Sequence, residues 1–275
     1  MVRNTSEIFA LFGNPVGHSL SPLMHNATLK RMKIDAHYVP FCVKHLEDAV
    51  RGIRGLDIRG VSITIPFKTT VMSYLDEVDE SSLSIGAVNT ILHDDQGRLK
   101  GYNTDWIGLI RDLKESLEIG GKTFAILGAG GAARAVVFGI LREGGIPLIV
   151  NRTVEKGEEM ARDFACPFYP LSDIGKVEAD CLINTTPVGM APDSEKSPVV
   201  REILGNFRWV VDIIYNPLRT KLLRDAEEAG CIALSGMGMF VHQGAEQIKI
   251  WMGIEPPRAF MKGVVLEKLK ERDGD

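Results

Sequence analysis

Gly128, Ala129, Gly130, Gly131, Ala132 and Ala133 follow the apolar run 123–127 and open a helical stretch of small residues. Backbone without bulky side chains can approach a pyrophosphate closely. The free N–H groups and positive dipole end of a helix start suit the same anion. About twenty residues on, dinucleotide-binding folds place an acid for the ribose hydroxyls; this chain instead has Asn151, Arg152 and Thr153, with Lys156 close behind. Cationic donors suit a 2′-phosphate, which a carboxylate would repel, so the segment points to NADP over NAD. Read alone, the glycines could equally serve a tight turn with no ligand. Arg152 and Lys156 could be solvated surface charges, diluted by Glu155, Glu158 and Glu159.

Holding such groups requires strands and helices in a definite order. In the first part, apolar runs 8–12, 36–43 and 60–65 alternate with helical patterns from about Pro22 and near Leu46, a βαβαβ order. A helix is expected after Pro66. Runs 87–93 and 98–102 flank Asp95, Gln96 and Gly97, the composition of a hairpin turn. A helical pattern over 105–117 leads to Gly120 and Gly121, and a second series of runs follows at 123–127, 146–150, 181–184, 209–214 and 231–234. From Met239, two helical patterns broken at Glu255-Pro256-Pro257 are expected to return to the first part. The fold class is therefore α/β with two domains. An N-terminal α/β substrate-binding domain takes residues 1–105 and 240–275, and a Rossmann-like NADP-binding domain takes 106–239.

A chain of 275 residues, 45% hydrophobic and 25% charged, has the composition of two packed cores rather than of a disordered protein. Its net charge of -4 gives no field that would gather nucleic acid or an anionic membrane, which leaves small molecules as partners. The run 8–12 is too short for a signal-peptide core or a membrane span. Cys42, Cys166, Cys181 and Cys231 lie far apart, read as buried small apolar residues, and suit a reducing, cytoplasmic compartment. No histidine is paired at metal spacing, so no metal is expected. His18 and His25 are read as structural hydrogen-bonding groups. A homodimer remains open.

Further motifs add to the glycine loop. They are Asn14-Pro15-Val16-Gly17-His18-Ser19-Leu20-Ser21-Pro22-Leu23-Met24-His25-Asn26, then Val61-Ser62-Ile63-Thr64-Ile65-Pro66-Phe67-Lys68, Gly86-Ala87-Val88-Asn89-Thr90 and Gly101-Tyr102-Asn103-Thr104-Asp105. The last is Gly236-Met237-Gly238-Met239-Phe240-Val241-His242-Gln243-Gly244-Ala245. With these, the chain resembles the shikimate dehydrogenases along nearly its whole length. The resemblance implies reversible NADPH-dependent reduction of 3-dehydroshikimate to shikimate.

By that resemblance Ser19 and Ser21 hold the substrate carboxylate, while Thr64, Asn89, Asp105 and Gln243 hydrogen-bond the ring hydroxyls. Tyr215 lines the substrate, Ile213 and Gly236 lie near the nicotinamide, and Lys68 with Asp105 forms the catalytic pair. Chemically this fits, because hydride transfer to a ketone needs a proton donor for the developing oxyanion. Other readings remain beside these: Ser21 as a helix cap before Pro22, Asp105 as a cap, and Lys68 as an exposed lysine at a helix start. Where the family suggests an arginine near Thr153, the chain has Glu155-Lys156, which keeps charge but loses the planar fork. The rivals are a quinate dehydrogenase, linked to NADP or to NAD, and a non-catalytic NADPH sensor.

Overall fold

The computed structural model describes residues 6–273 and falls into two compact units. The first runs to Thr104 and takes back Gln243–Lys270; the second holds Asp105–His242. At the C-terminal side the division falls between His242 and Gln243, inside a helix.

The first unit carries β1 (Glu7–Gly13), α1 (Ser21–Arg31), β2 (Ala36–Cys42), α2 (Leu46–Gly55) and β3 (Ile58–Ile63). After these come β4 (Glu77–Val78), α3 (Glu80–Ile85), β5 (Thr90–His93) and β6 (Leu99–Tyr102). They make a six-stranded sheet in the order β2-β1-β3-β5-β6-β4. β1 pairs in parallel with both β2 and β3, and it reads as a near-continuous apolar run because helices cover both faces. β5 is antiparallel to β3 and to β6. The helix expected after Pro66 is instead a 3₁₀ turn, Thr70–Tyr74. Thr69, Thr70 and Val71 are β-branched in succession, which disfavours an α-helix there. α3 was not legible in advance; the Asp79 carboxylate accepts the Ser81 and Ser82 N–H groups at its start, and Gly86, at φ 71°, ends it.

The second unit opens with α4 (Asp105–Lys114), then β7 (Thr123–Leu127), α5 (Gly131–Arg142), β8 (Ile146–Asn151), α6 (Val154–Phe164) and β9 (Phe168–Pro170). β10 (Cys181–Asn184), β11 (Trp209–Asp212), α7 (Lys221–Glu228) and β12 (Ile232–Ser235) follow. Its sheet is parallel throughout, in the order β12-β11-β10-β7-β8-β9, so the strand order reverses at β7. In open α/β sheets ligands bind at the carboxyl ends of strands beside that reversal. Apolar residues of both faces fill the core, with Phe124, Ile126, Val136, Ile149 and Ile183 on one side and Leu127, Val150, Leu182 and Leu222 on the other.

α8 (Met237–Met252) and α9 (Arg258–Asp273) close the chain. The later turns of α8 belong to the first unit, where Trp251 Nε1 donates to the Ile91 carbonyl at 2.9 Å and its indole fills the space left by Gly60. No helix among the described residues is long and apolar enough to cross a membrane. All the cysteines are unbridged, but only Cys181 is fully buried. Cys42 is exposed at the end of edge strand β2, which corrects the expectation that each would be core.

Candidate functional site

The register of the first sheet gathers most of the predicted substrate residues at one edge. β1 and β3 run the same way, so their carboxyl ends lie together, and Ser62 of β3 faces Thr90, the first residue of β5, which in turn faces Tyr102 at the end of β6. Ser19 and Ser21 come after β1, Thr64 and Lys68 after β3, Asn89 just before β5, and Asp105 three positions after β6.

Ser21 is the first residue of α1 rather than its cap; Leu20 precedes the helix and makes no side-chain cap bond. The hydroxyl of Ser19 accepts the Ser21 N–H at 3.2 Å, so it is Ser19 that holds this first helical N–H, and the alternative reading of Ser21 as the cap is not met. Thr64 is fixed by its N–H to the Phe12 carbonyl and accepts the Phe67 N–H. The carbonyl of Lys68, a half-buried residue, accepts the Val88 N–H at 2.7 Å, which ties the lysine backbone to the segment carrying Asn89. Asn89 is buried; its Oδ1 accepts the Thr104 N–H at 2.8 Å and its Nδ2 donates to Thr104 Oγ1 at 2.9 Å. The residue preceding Asp105 is thus bound to the start of β5.

Two other residues of the first motif have structural work. Asn26 pairs both amide ends with the Tyr38 backbone, satisfying the outer side of edge strand β2 at that residue. His25 stacks on Tyr38 at 4.3 Å, places Nδ1 2.9 Å from the Ser21 carbonyl, and has its pKa pushed by burial down to about 4. His25 is therefore neutral in the folded protein at pH 5, where an ordinary histidine is charged. The unfolded chain binds the extra proton between pH 6.5 and about 4, so this unit loses stability as pH falls through that window. The expected result of an NMR titration of the histidine ring protons is one midpoint near pH 4. A midpoint near 6.5 for His25 would contradict its burial.

At the carboxyl edge of the second sheet, Gly128 has φ 115° and its N–H donates to the Val150 carbonyl; a Cβ there would stand 2.7 Å from Thr185 Oγ1. Only glycine fits. Gly130 precedes α5 with no side-chain cap, and Gly131 and Ala132 form its first turn, a cradle of small residues and uncapped N–H groups that fits a pyrophosphate. Asn151, the last residue of β8, donates its Nδ2 to the Thr153 carbonyl, and Arg152, Thr153 and, in the first turn of α6, Lys156 are exposed. These residues fit the phosphorylated end of NADP.

Beyond β11, Ile213 donates its N–H to the Asn184 carbonyl, and Tyr215 stacks on Phe240 at 3.9 Å. Buried Asp212, not singled out by sequence, holds this turn by accepting from Thr220 Oγ1, Ile214 N–H and Asn184 Nδ2; burial raises its pKa to about 6. Gly236 lies against the Ile213 carbonyl and Gly238 against the Asp112 carboxylate, which accepts the Met239 N–H at 3.1 Å. Gly238→Ala must displace Asp112, and a loss of about 1–3 kcal/mol in denaturant stability is expected. Gly205→Ala, where a Cβ meets nothing within 4 Å, is the control. Equal melts for the two would refute the close packing. Gln243 is buried within α8. Among the described residues no group of His, Cys, Asp and Glu is arranged to hold a metal ion.

Comparison with known proteins places these features in context. The family model for the shikimate dehydrogenase substrate binding domain matches residues 11–91, and that for the shikimate 5′-dehydrogenase C-terminal domain matches 236–266. Shikimate dehydrogenase (NADP(+)) of Pyrococcus furiosus is 43% identical, over 99% of this chain and 100% of that one. A solved shikimate dehydrogenase in complex with NADP+ is 40% identical with a TM-score of 0.90, covering 96% of each chain. The Thermus thermophilus enzyme, solved with NADP(H) and shikimate, is 34% identical with a TM-score of 0.85, covering 95% of this chain and 99% of that one.

Proposed function

The chain belongs to the shikimate dehydrogenase family, and from that premise we propose that it catalyses the reversible NADPH-dependent reduction of 3-dehydroshikimate to shikimate. The observation that carries this reading is the gathering of Ser19, Ser21, Thr64, Lys68 and Asn89 at one edge of the first sheet. An ammonium among hydroxyl and amide groups suits a polyhydroxylated ring acid bearing a ketone.

When bound, NADPH supplies the hydride that reduces the ring ketone. Gly128, Ala129, Gly130, Gly131 and Ala132 would hold its pyrophosphate, Asn151, Arg152, Thr153 and Lys156 its 2′-phosphate end, and Ile213 and Gly236 would flank its nicotinamide. Ser19 and Ser21 anchor the substrate carboxylate, while Thr64, Asn89, Asp105, Tyr215 and Gln243 fix the ring. These groups discriminate strongly, because an analogue lacking a hydroxyl leaves them unpaired. Lys68 gives a proton to the ketone oxygen as negative charge develops there, and takes it back in the reverse reaction. Asp105 orients the ammonium and binds a ring hydroxyl. On this reading the enzyme works in the cytoplasm, which its unbridged cysteines fit, and a homodimer is the assembly to test by sedimentation.

The test is an absorbance assay at the nicotinamide band with shikimate or quinate, each with NADP or NAD. Turnover largely confined to shikimate with NADP is expected. Preference for quinate or NAD would overturn the specificity, and no turnover with any pair would favour the sensor.

A further inference from the structure

Beneath the sheet edge of the first unit runs a chain of buried polar side chains that the chemistry above leaves unused. Tyr38 Oη donates to Ser62 Oγ at 2.7 Å, and Ser62 Oγ donates to Gln247 Oε1 at 2.9 Å. Gln247 Nε2 donates to Thr90 Oγ1 at 3.0 Å and to the Asn89 carbonyl at 3.3 Å, and Thr90 Oγ1 donates to Asn89 Oδ1 at 2.8 Å. Every side chain in it is buried: Ser62 is 5% exposed, Asn89 and Gln247 2%, Thr90 none. An unmatched group here would be costly, so the directions of these bonds are constrained.

Proton counting settles those directions. The Asn89 carbonyl can only accept, so the Gln247 end facing it is the nitrogen, and Oε1 must face Ser62. Thr90 has one hydroxyl proton; because Gln247 donates to its oxygen, that proton goes to Asn89 Oδ1. Asn89 Oδ1 also accepts the Thr104 N–H, so both its lone pairs are filled from within the protein. The carboxamide is held with its oxygen on the Thr90 hydroxyl and the Thr104 N–H and its nitrogen on the Thr104 hydroxyl side.

We propose that Gln247 and Thr90 are positioning residues for substrate recognition: they lock the Asn89 carboxamide so that it offers its donor end, and so select a ring oxygen that accepts there. Gln247 reaches this network from α8, four residues after Gln243 on the same helical face, so one helix serves both contacts. Without the Thr90 hydroxyl, or without the Gln247 amide that fixes the direction of its proton, Asn89 Oδ1 is held by Thr104 alone, and a carboxamide so loosened aims its donor at the ring oxygen less firmly.

This inference rests on the reading that Asn89 contacts the substrate, and its test separates the two. Gln247→Met and Thr90→Val cut the chain with little change of volume, while Thr90→Ser keeps the hydroxyl. In the cut variants the shikimate KM is expected to rise about 10-fold or more, with kcat within about 3-fold and NADP KM within about 2-fold of wild type. Thr90→Ser should restore the wild-type KM. Independently of turnover, the Asn89 side-chain amide proton pair, identified by its loss in Asn89→Asp, should be single and sharp in the wild type and shifted or broadened in the cut variants. Variants that melt earlier yet keep the wild-type KM and an unmoved amide pair would overturn the proposal, leaving a purely structural network. If Gln247→Met does not fold, Thr90→Val carries the same test. A wild-type protein inactive on shikimate would sink the functional reading, while the amide signals would still decide whether Asn89 is locked.

Discussion

Lys68→Ala is expected to lower shikimate turnover by about two to four orders of magnitude, the scale for losing a positioned acid–base group, while NADP affinity stays within about 2-fold. The backbone explains why one side chain carries so much. Lys68 follows a turn closed by the Phe67 N–H on the Thr64 carbonyl, and its own carbonyl accepts the Val88 N–H. Its backbone is therefore fixed from the turn after β3 on one side and from the Asn89 segment on the other, which holds the root of the side chain in place. The cofactor loops belong to the second unit, so their affinity is expected to survive. Lys68→Arg refines the test, because a guanidinium keeps the charge but does not release a proton in proteins. A fall matching that of alanine would assign proton transfer to Lys68, and a small fall would assign it charge stabilisation. A protein that only senses NADPH would be indifferent to both changes.

What the sequence made legible follows from how local each determinant is. The parallel strands β1, β7, β10 and β11 read as unbroken apolar runs because both faces are covered, and the glycine turn at Gly128 declares itself because φ 115° excludes other residues. Gln247 was invisible for the opposite reason. Its partners Ser62 and Thr90 lie 185 and 157 positions away, and a glutamine on a helix is ordinarily a surface residue. A hint existed in its spacing of four from Gln243. The segment after Pro66 forms a 3₁₀ turn rather than the expected helix, and the determinant is local as well: Thr69, Thr70 and Val71 are β-branched in succession. Asp112 looks like any helix carboxylate until its contact with the Met239 N–H, 127 positions on, is seen. The shared motifs named the residues to watch, and tertiary contacts give work to one they left without a role: Asn26, whose amide pairs with the Tyr38 backbone.

Arg152→Glu is expected to swing the NADP-over-NAD preference in kcat/KM by about 100-fold or more, since it replaces a charge-assisted donor with a repelling carboxylate. The end of β8 is where a dinucleotide's ribose is read, and this chain presents no acid there. Asn151 spends its amide nitrogen on the Thr153 carbonyl, which shapes the loop and leaves Arg152 as its cationic group. Arg152 and Lys156 are exposed and in no ion pair among the described residues, whereas nearby Arg134 is bound to Asp163 at 2.8 Å and lies over Phe164. Arg134 is thus less able to substitute. Lys156→Ala should cost less, about 10-fold or under in NADP KM, because an ammonium on a flexible stem grips phosphate at one point. Steady-state kinetics with both cofactors at fixed ionic strength measures each ratio. An unchanged ratio in Arg152→Glu would mean that the 2′-phosphate is not read at this loop, and the absence of an acid after β8 would then lose its meaning as a cofactor signal.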